Sequence, residues 1–311
     1  MTPMASEFRP AGVFVPVVTP FGEDGKVDLD CLEALTAEVI GDGASGVVAL
    51  ATTGEPHMLD DGERDAVVDT IARVCADQDA ILVVGAGTND TRRTIANHEA
   101  LADVPGVRAS LAVVPYYLRP SESAIVQHFQ VVAERSPVPL IVYNIPYRTG
   151  RGLGAKSLLE LAATDNVAGV KQAVGGIDAD TLTVLAQAAD RFAMLGGDDA
   201  FLFPLVLMGG SGAIAASSQL CTRRYAEMIE CGRSGDVAGG RKHAEALLPL
   251  SLALFAEPSP AVIKAALHLE GRIPTPDVRM PMSPASPAAV ERVRQALVDA
   301  GSPKLAPAAR A

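Results

Sequence analysis

Tryptophan is absent from these 311 residues, and aromatic side chains make up only 4% of them. The apolar mass, 49% of the chain, is mostly Ala, Val and Leu, which suits tightly packed layers of helix on sheet rather than a core built on large rings. Positive charge is in deficit, with 26 Lys and Arg against 37 Asp and Glu and a net charge of −11. That balance argues against a nucleic-acid surface, and it requires any anionic substrate to be captured by local donors rather than by the overall field. Cysteine is sparse: Cys31, Cys75, Cys221 and Cys231 show no CxxC spacing, and three of them fall within helical apolar patterns. Reduced core thiols are the expectation, not a disulfide framework or a metal cage. No run approaches the length of a membrane span, and Met1–Pro10 carries no apolar stretch of secretory type, so the expected compartment is the cytoplasm.

What is present is an alternation of two patterns. Val13–Val18, Gly46–Leu50, Ile81–Val84, Val107–Val114, Leu140–Asn144, Val167–Lys171, Phe192–Leu195 and Gly212–Ala216 are short apolar runs, most of them rich in β-branched residues. Buried parallel strands read this way. Pro16 is a mild objection inside the first run, because it lacks a ladder donor. Between the runs lie segments with helical apolar spacing, such as Leu29, Leu32, Leu35 and Val39, or Val67, Ile71, Val74 and Cys75. Asp60 followed by Glu63 reads as a capping box opening the second helix. Eight strands each followed by a helix predict an α/β fold, a (β/α)8 TIM barrel over 12–233. A doubly wound sheet is the alternative, but no GxGxxG follows the first strand. Helical stretches near 235–254, 260–270 and 287–300 predict a C-terminal helical region over 234–301, and the Pro/Ala-rich 302–311 is expected to be a flexible tail.

In a barrel, residues just after the strands share one mouth. The second run is followed by Thr52, Thr53, Gly54 and Glu55, and the fourth by Tyr116 and Tyr117. The fifth includes Tyr143 and leads to Arg148, the sixth ends in Lys171, and the seventh is followed by Gly197, Asp198 and Asp199. Each has a plain structural reading: a turn at Thr52–Gly54, interface tyrosines, an ion pair at Arg148, helix caps at Asp198 and Asp199. None of the five histidines ends a run, and no metal is assigned. Taken together, however, a lysine, two tyrosines, two threonines and an arginine at one mouth make chemical sense. A desolvated lysine attacks a ketone to give an imine, an electron sink that acidifies the neighbouring carbon. Hydroxyls relay the protons, and a guanidinium holds a carboxylate.

These residues, in this order, resemble the dihydrodipicolinate synthase / N-acetylneuraminate lyase family of pyruvate-dependent class I aldolases. The resemblance rests on Thr19-Pro20-Phe21, Thr52–Glu55, Pro115-Tyr116-Tyr117, Tyr143–Pro146, Gly169-Val170-Lys171 and Gly197-Asp198-Asp199, and runs from residue 12 to about 300. It implies that Lys171 forms the Schiff base with pyruvate, without any other cofactor, and that Tyr143 shuttles protons in a relay with Thr52. Thr53 would hold the pyruvate carboxylate, while Gly197 and Ile214 line its pocket through their backbones. Tyr117 would complete the relay across a dimer interface, in a homotetramer built as a dimer of dimers.

Arg148 points within the family to the synthases, which condense pyruvate with L-aspartate-4-semialdehyde to 4-hydroxytetrahydrodipicolinate for lysine biosynthesis. Another pyruvate-dependent aldolase or dehydratase is the alternative, and a barrel that only binds is a third. Departures from the family pattern include Ala51, Pro56, His57, Leu118 and Gln172. Asp61 and Arg64 stand where lysine-inhibited synthases carry histidines, so weak or absent lysine inhibition is expected.

Overall fold

The computed structural model describes residues 8–305. Its eight apolar runs become eight parallel strands that close in chain order, the last pairing with the first, as expected for the TIM barrel. In sequence these are β1 (Gly12–Val15), α1 (Leu29–Gly41), β2 (Gly46–Ala49), α2 (Asp61–Asp77), β3 (Ile81–Gly85), α3 (Thr91–Glu99) and β4 (Val107–Val113). There follow α4 (Glu122–Arg135), β5 (Leu140–Asn144), α5 (Pro146–Thr149), α6 (Ala155–Ala162), β6 (Val167–Gln172) and α7 (Ala179–Ala188). The barrel is completed by β7 (Ala193–Gly196), α8 (Leu202–Leu207), β8 (Gly212–Ile214) and α9 (Thr222–Ser234). Beyond it come α10 (Val237–Leu254), α11 (Ala261–Leu269) and α12 (Pro287–Asp299).

Several strands stop sooner than their apolar runs, for local reasons. β1 ends at Val15, just before Pro16, which has no N–H to give the ladder. β2 ends at Ala49 because Leu50 takes a left-handed φ of 53°. The run after β8 coils into a 3-10 turn over Ala216–Gln219. The start of α2 follows its cap. Asp60 accepts from the Glu63 N–H while the Glu63 carboxylate accepts from the Asp60 N–H, the reciprocal box read from the sequence.

Two kinds of core result. Inside the barrel, Phe14, Val48, Val83, Ala109, Leu111, Ile141, Leu195 and Ile214 pack with Tyr143. Outside it, the helices bury their stripes against the sheet, each Val, Leu or Ile contributing about 1.5–3 kcal/mol over an exposed position. The C-terminal helices share the outer core rather than building their own: Leu250, Ile263, Val293 and Leu297 belong to the cluster that holds Leu32 and Ile71. Of the predicted tail, 306–311 lies outside the described residues, whereas Ser302 is buried and donates its hydroxyl to Glu270. The four cysteines are free thiols.

The strand that carries the lysine is tightly fitted to its neighbour. A Cβ on Gly169 of β6 would stand 2.3 Å from the Ala193 carbonyl oxygen of β7. Gly169→Ala is therefore expected to cost about 1–3 kcal/mol, read as a fall in the thermal midpoint. An unchanged midpoint would mean that the two strands can separate without loss.

Candidate active site

Strand register decides which side chains meet. Tyr143 and Lys171 are direct partners across β5 and β6, and the lysine Nζ lies 4.3 Å from the centre of the tyrosine ring. Both are buried. Burial lowers the lysine pKa to about 8, although the nearby Asp199 and Asp198 carboxylates pull the other way; the Arg148 charge adds to the lowering. Burial likewise pushes the Tyr143 phenol well up, so it stays protonated and able to donate. Gly197, after β7, is packed onto the lysine stem: a Cβ there would lie 3.0 Å from Lys171 Cε and 3.1 Å from Cγ. Its N–H donates to the Gln172 carbonyl, keeping that approach close. Ile214, at the end of β8, is fully buried in the barrel-interior cluster that also contains Tyr143.

Thr52 and Thr53 sit in a 3-10 turn after β2, Thr53 buried and Thr52 exposed. Thr52 and Tyr143 line the same cavity, about 70 Å³ in volume, together with His57, Arg64 and Thr88. Arg148 lies on α5, a single turn ended by Gly150 at φ 71°. Its guanidinium stacks 5.4 Å from the Tyr147 ring centre, exposed, yet its charge is felt by both Tyr143 and Lys171. The loop after α5 is clamped by Asn144, which accepts from the Leu153 N–H at 3.0 Å and donates to the Leu153 carbonyl at 3.1 Å.

The same Asn144 amide donates to the Gln172 side chain, which donates to the Thr181 hydroxyl, which donates to Asp178. Asn144 and Gln172 are the residues immediately after Tyr143 and Lys171, so this chain of bonds locks the register that brings those two together. As a neutral amide, Gln172 supplies both a donor and an acceptor; a carboxylate in its place could only accept from Thr181. In the sequence Gln172 stands out only as a departure from the family pattern, and the outward-reaching role of Asn144 carries no local signal.

Two expectations find other partners. Asp198 and Asp199 do not cap the turn that they begin; their carboxylates accept from the backbone N–H groups of Gly175 and Ser217 instead. Among the described residues no group of His, Cys, Asp and Glu could hold a metal ion. Tyr117 is not brought to Lys171 within one chain: it is 86% exposed, at φ 71°, beside exposed Leu118. Its neighbour Arg119 ties this loop to the carbonyl of Gly150, below the Arg148 turn.

An amine with a pKa near 8 in a dry site is a nucleophile at neutral pH, and a protonated phenol against it is a proton donor. At pH 7.5 about a quarter of Lys171 would be neutral, against roughly 0.1% for a lysine at 10.5. Amine-directed labelling of Lys171 is therefore expected to rise with a midpoint near pH 8, while the exposed Lys26 remains slow. A midpoint above 10 would show that the site does not desolvate the amine.

Comparison with known proteins points one way. The model of the dihydrodipicolinate synthetase family matches residues 9–300. The 4-hydroxy-tetrahydrodipicolinate synthase of Moorella thermoacetica is 36% identical over 289 residues, covering 93% of this chain and 98% of that protein. That of Neisseria meningitidis serogroup B is 35% identical over 290 residues, with the same coverage of each. The solved structure of the chloride-inhibited dihydrodipicolinate synthase from Acinetobacter baumannii, complexed with pyruvate, is similar at a TM-score of 0.90. Its identity is 32%, and the match covers 94% of this chain and 99% of that one.

Proposed function

Because the chain belongs to the dihydrodipicolinate synthetase family, we propose that it is a lyase-class enzyme condensing pyruvate with L-aspartate-4-semialdehyde to 4-hydroxytetrahydrodipicolinate, in lysine and diaminopimelate biosynthesis. The observation that carries this reading is the buried Lys171 with its lowered pKa, paired in register with Tyr143. The neutral amine attacks C2 of pyruvate, and loss of water leaves an iminium on Nζ. The iminium draws electrons from C3, which gives up a proton and becomes a nucleophilic enamine carbon. That carbon attacks the aldehyde carbon of the semialdehyde, forming the carbon–carbon bond, and the resulting alkoxide takes a proton. The amino group of the semialdehyde then displaces Nζ at the imine carbon, closing the ring and freeing Lys171. One water is lost overall. The imine is itself the electron sink, so the chemistry requires no metal or organic cofactor.

The roles proposed for the residues are those that the family resemblance implies, and the geometry supports the first of them. Tyr143, protonated and against the lysine, donates and recovers the proton at the carbinolamine oxygen, and Thr52, lining the same cavity, relays it. The hydroxyl and N–H of Thr53 hold the pyruvate carboxylate, with the backbones of Gly197 and Ile214 lining the pyruvate pocket. Arg148 takes the carboxylate of the semialdehyde. Tyr117 completes the relay from a second subunit. An exposed tyrosine held at positive φ beside an exposed leucine supports docking of this loop on another copy, and the full assembly is a dimer of such dimers. No described helix is long and apolar enough to cross a membrane, and the free thiols support a reducing compartment, the cytoplasm.

Incubation with pyruvate and borohydride is expected to add a pyruvate-sized mass on Lys171, rising with pH through about 8 and absent from Lys171→Ala. No adduct on the folded protein would remove the mechanism. Arg148→Ala is expected to raise KM for the semialdehyde about 10- to 100-fold, the loss of one charge-assisted contact, with pyruvate KM little changed. Product from a sugar-acid aldehyde but not from the semialdehyde would favour a different aldolase. Asp61 and Arg64 support insensitivity to lysine, and a low-concentration lysine inhibition curve is expected to stay flat.

A further inference from the structure

An ion pair sealed inside the protein has no part in the chemistry above. Lys264 lies in the middle of α11, where it is flanked by buried Val262, Ile263, Ala265 and Ala266. Its side chain and that of Glu55 are both 0% exposed, and Nζ stands 2.6 Å from Glu55 Oε1. The contact is an ion pair rather than a well-angled hydrogen bond. Lys264 also donates to the Asp277 carbonyl at 2.8 Å and lies 3.8 Å from the centre of the Phe21 ring. The second oxygen of Glu55 accepts from the Arg279 N–H at 2.9 Å. The Arg279 guanidinium in turn pairs with Glu63, donates to the carbonyls of Met58 and Gly25, and lies 4.5 Å from the same Phe21 ring.

Removing two charges from water is costly, and apolar residues of similar volume often serve stability as well. What an ion pair provides that an apolar pair does not is a fixed direction. Glu55 is held in the left-handed region, φ 56° and ψ 40°, a conformation that a non-glycine residue keeps only where its surroundings impose it. In that conformation it closes the turn Thr52–Gly54, its N–H donating to the Thr52 carbonyl at 3.2 Å. The turn is thus gripped at two adjacent residues. Thr19 donates to the Gly54 carbonyl at 2.7 Å from the β1 side, and α11 with the segment through Arg279 holds Glu55 from the C-terminal side.

We propose that Glu55 and Lys264 are positioning residues through which the C-terminal helices place the Thr52–Thr53 turn to receive the pyruvate carboxylate. This rests on the proposed function, which gives Thr53 that carboxylate. It also assigns a task to helices that closure of the barrel does not need.

The test uses the full-length protein, with Glu55→Gln, Lys264→Met and the two combined. Borohydride trapping is followed against pyruvate concentration, alongside steady-state KM for both substrates. The double variant leaves no lone buried charge and is expected to melt cooperatively and to form the adduct on Lys171. Its half-saturating pyruvate concentration is expected to rise about tenfold, while KM for the semialdehyde stays within about twofold. Glu55→Gln alone keeps the side-chain shape and a carbonyl acceptor for Lys264 but removes its counter-charge, and is expected to shift in the same direction; where it folds, it decides the matter if the double variant does not. A purely structural role would lower the melting midpoint without splitting the two substrates. Unchanged pyruvate saturation in either folded variant, or an equal rise for both substrates, overturns the proposal. Absence of trapping in the wild-type protein overturns the functional reading on which it rests, and the two failures are told apart by that control.

Discussion

Keeping one ammonium out of water is the constraint on which the rest of the site depends. Lys171 sits at the mouth end of β6, enclosed by the Tyr143 ring on one neighbouring strand and by Gly197 above the other. Desolvation penalises its charge, and the carboxylates of Asp198 and Asp199 oppose that penalty without cancelling it. The outcome, near 8, is useful for chemistry. A much lower value would leave an amine too weakly basic to form a persistent iminium, and an ordinary one would leave it protonated.

Such a site has to be rigid, because the lysine is desolvated only while its surroundings stay closed. The barrel supplies this through polar bonds placed one residue beyond Tyr143 and Lys171. Asn144 and Gln172 bond to each other, and through Leu153 and Thr181 they tie the strand ends to the loop and helix that follow. Each of these groups is buried and each is partnered, the condition under which a polar network specifies a single geometry instead of weakening a core. Glu55 and Lys264 extend the same logic to the threonine turn with charges in place of amides.

The mouth combines this fixed floor with a more exposed rim. Arg148 and Tyr147 stack on each other in solvent, and Tyr117 and Leu118 form a ridge on a loop with two left-handed residues. The proposed pyruvate chemistry uses the floor, where groups are buried and locked. The proposed choice of the second substrate and the proposed docking of another copy draw on the rim, where charge and apolar surface remain available.

Much of this was legible in the chain itself. The β-branched runs and helical stripes specified eight strand–helix units, since burial on both faces and burial on one leave different periodicities. The capping box at Asp60 and Glu63 is local enough to be read directly. Lys171 and Tyr143, near the ends of strands, and Thr52, Thr53 and Arg148, just after strands, stand out in the sequence as candidates by residue type and position. Other features required the tertiary structure, because they join residues far apart in sequence: the register that seats Tyr143 on Lys171, the clamp from Asn144, and the pair between Glu55 and Lys264. The aspartates after β7 read as helix caps, yet accept from backbone N–H groups of other loops. Periodicity reports which face of an element is buried. Only packing decides which buried group it meets, and therefore how far a pKa moves.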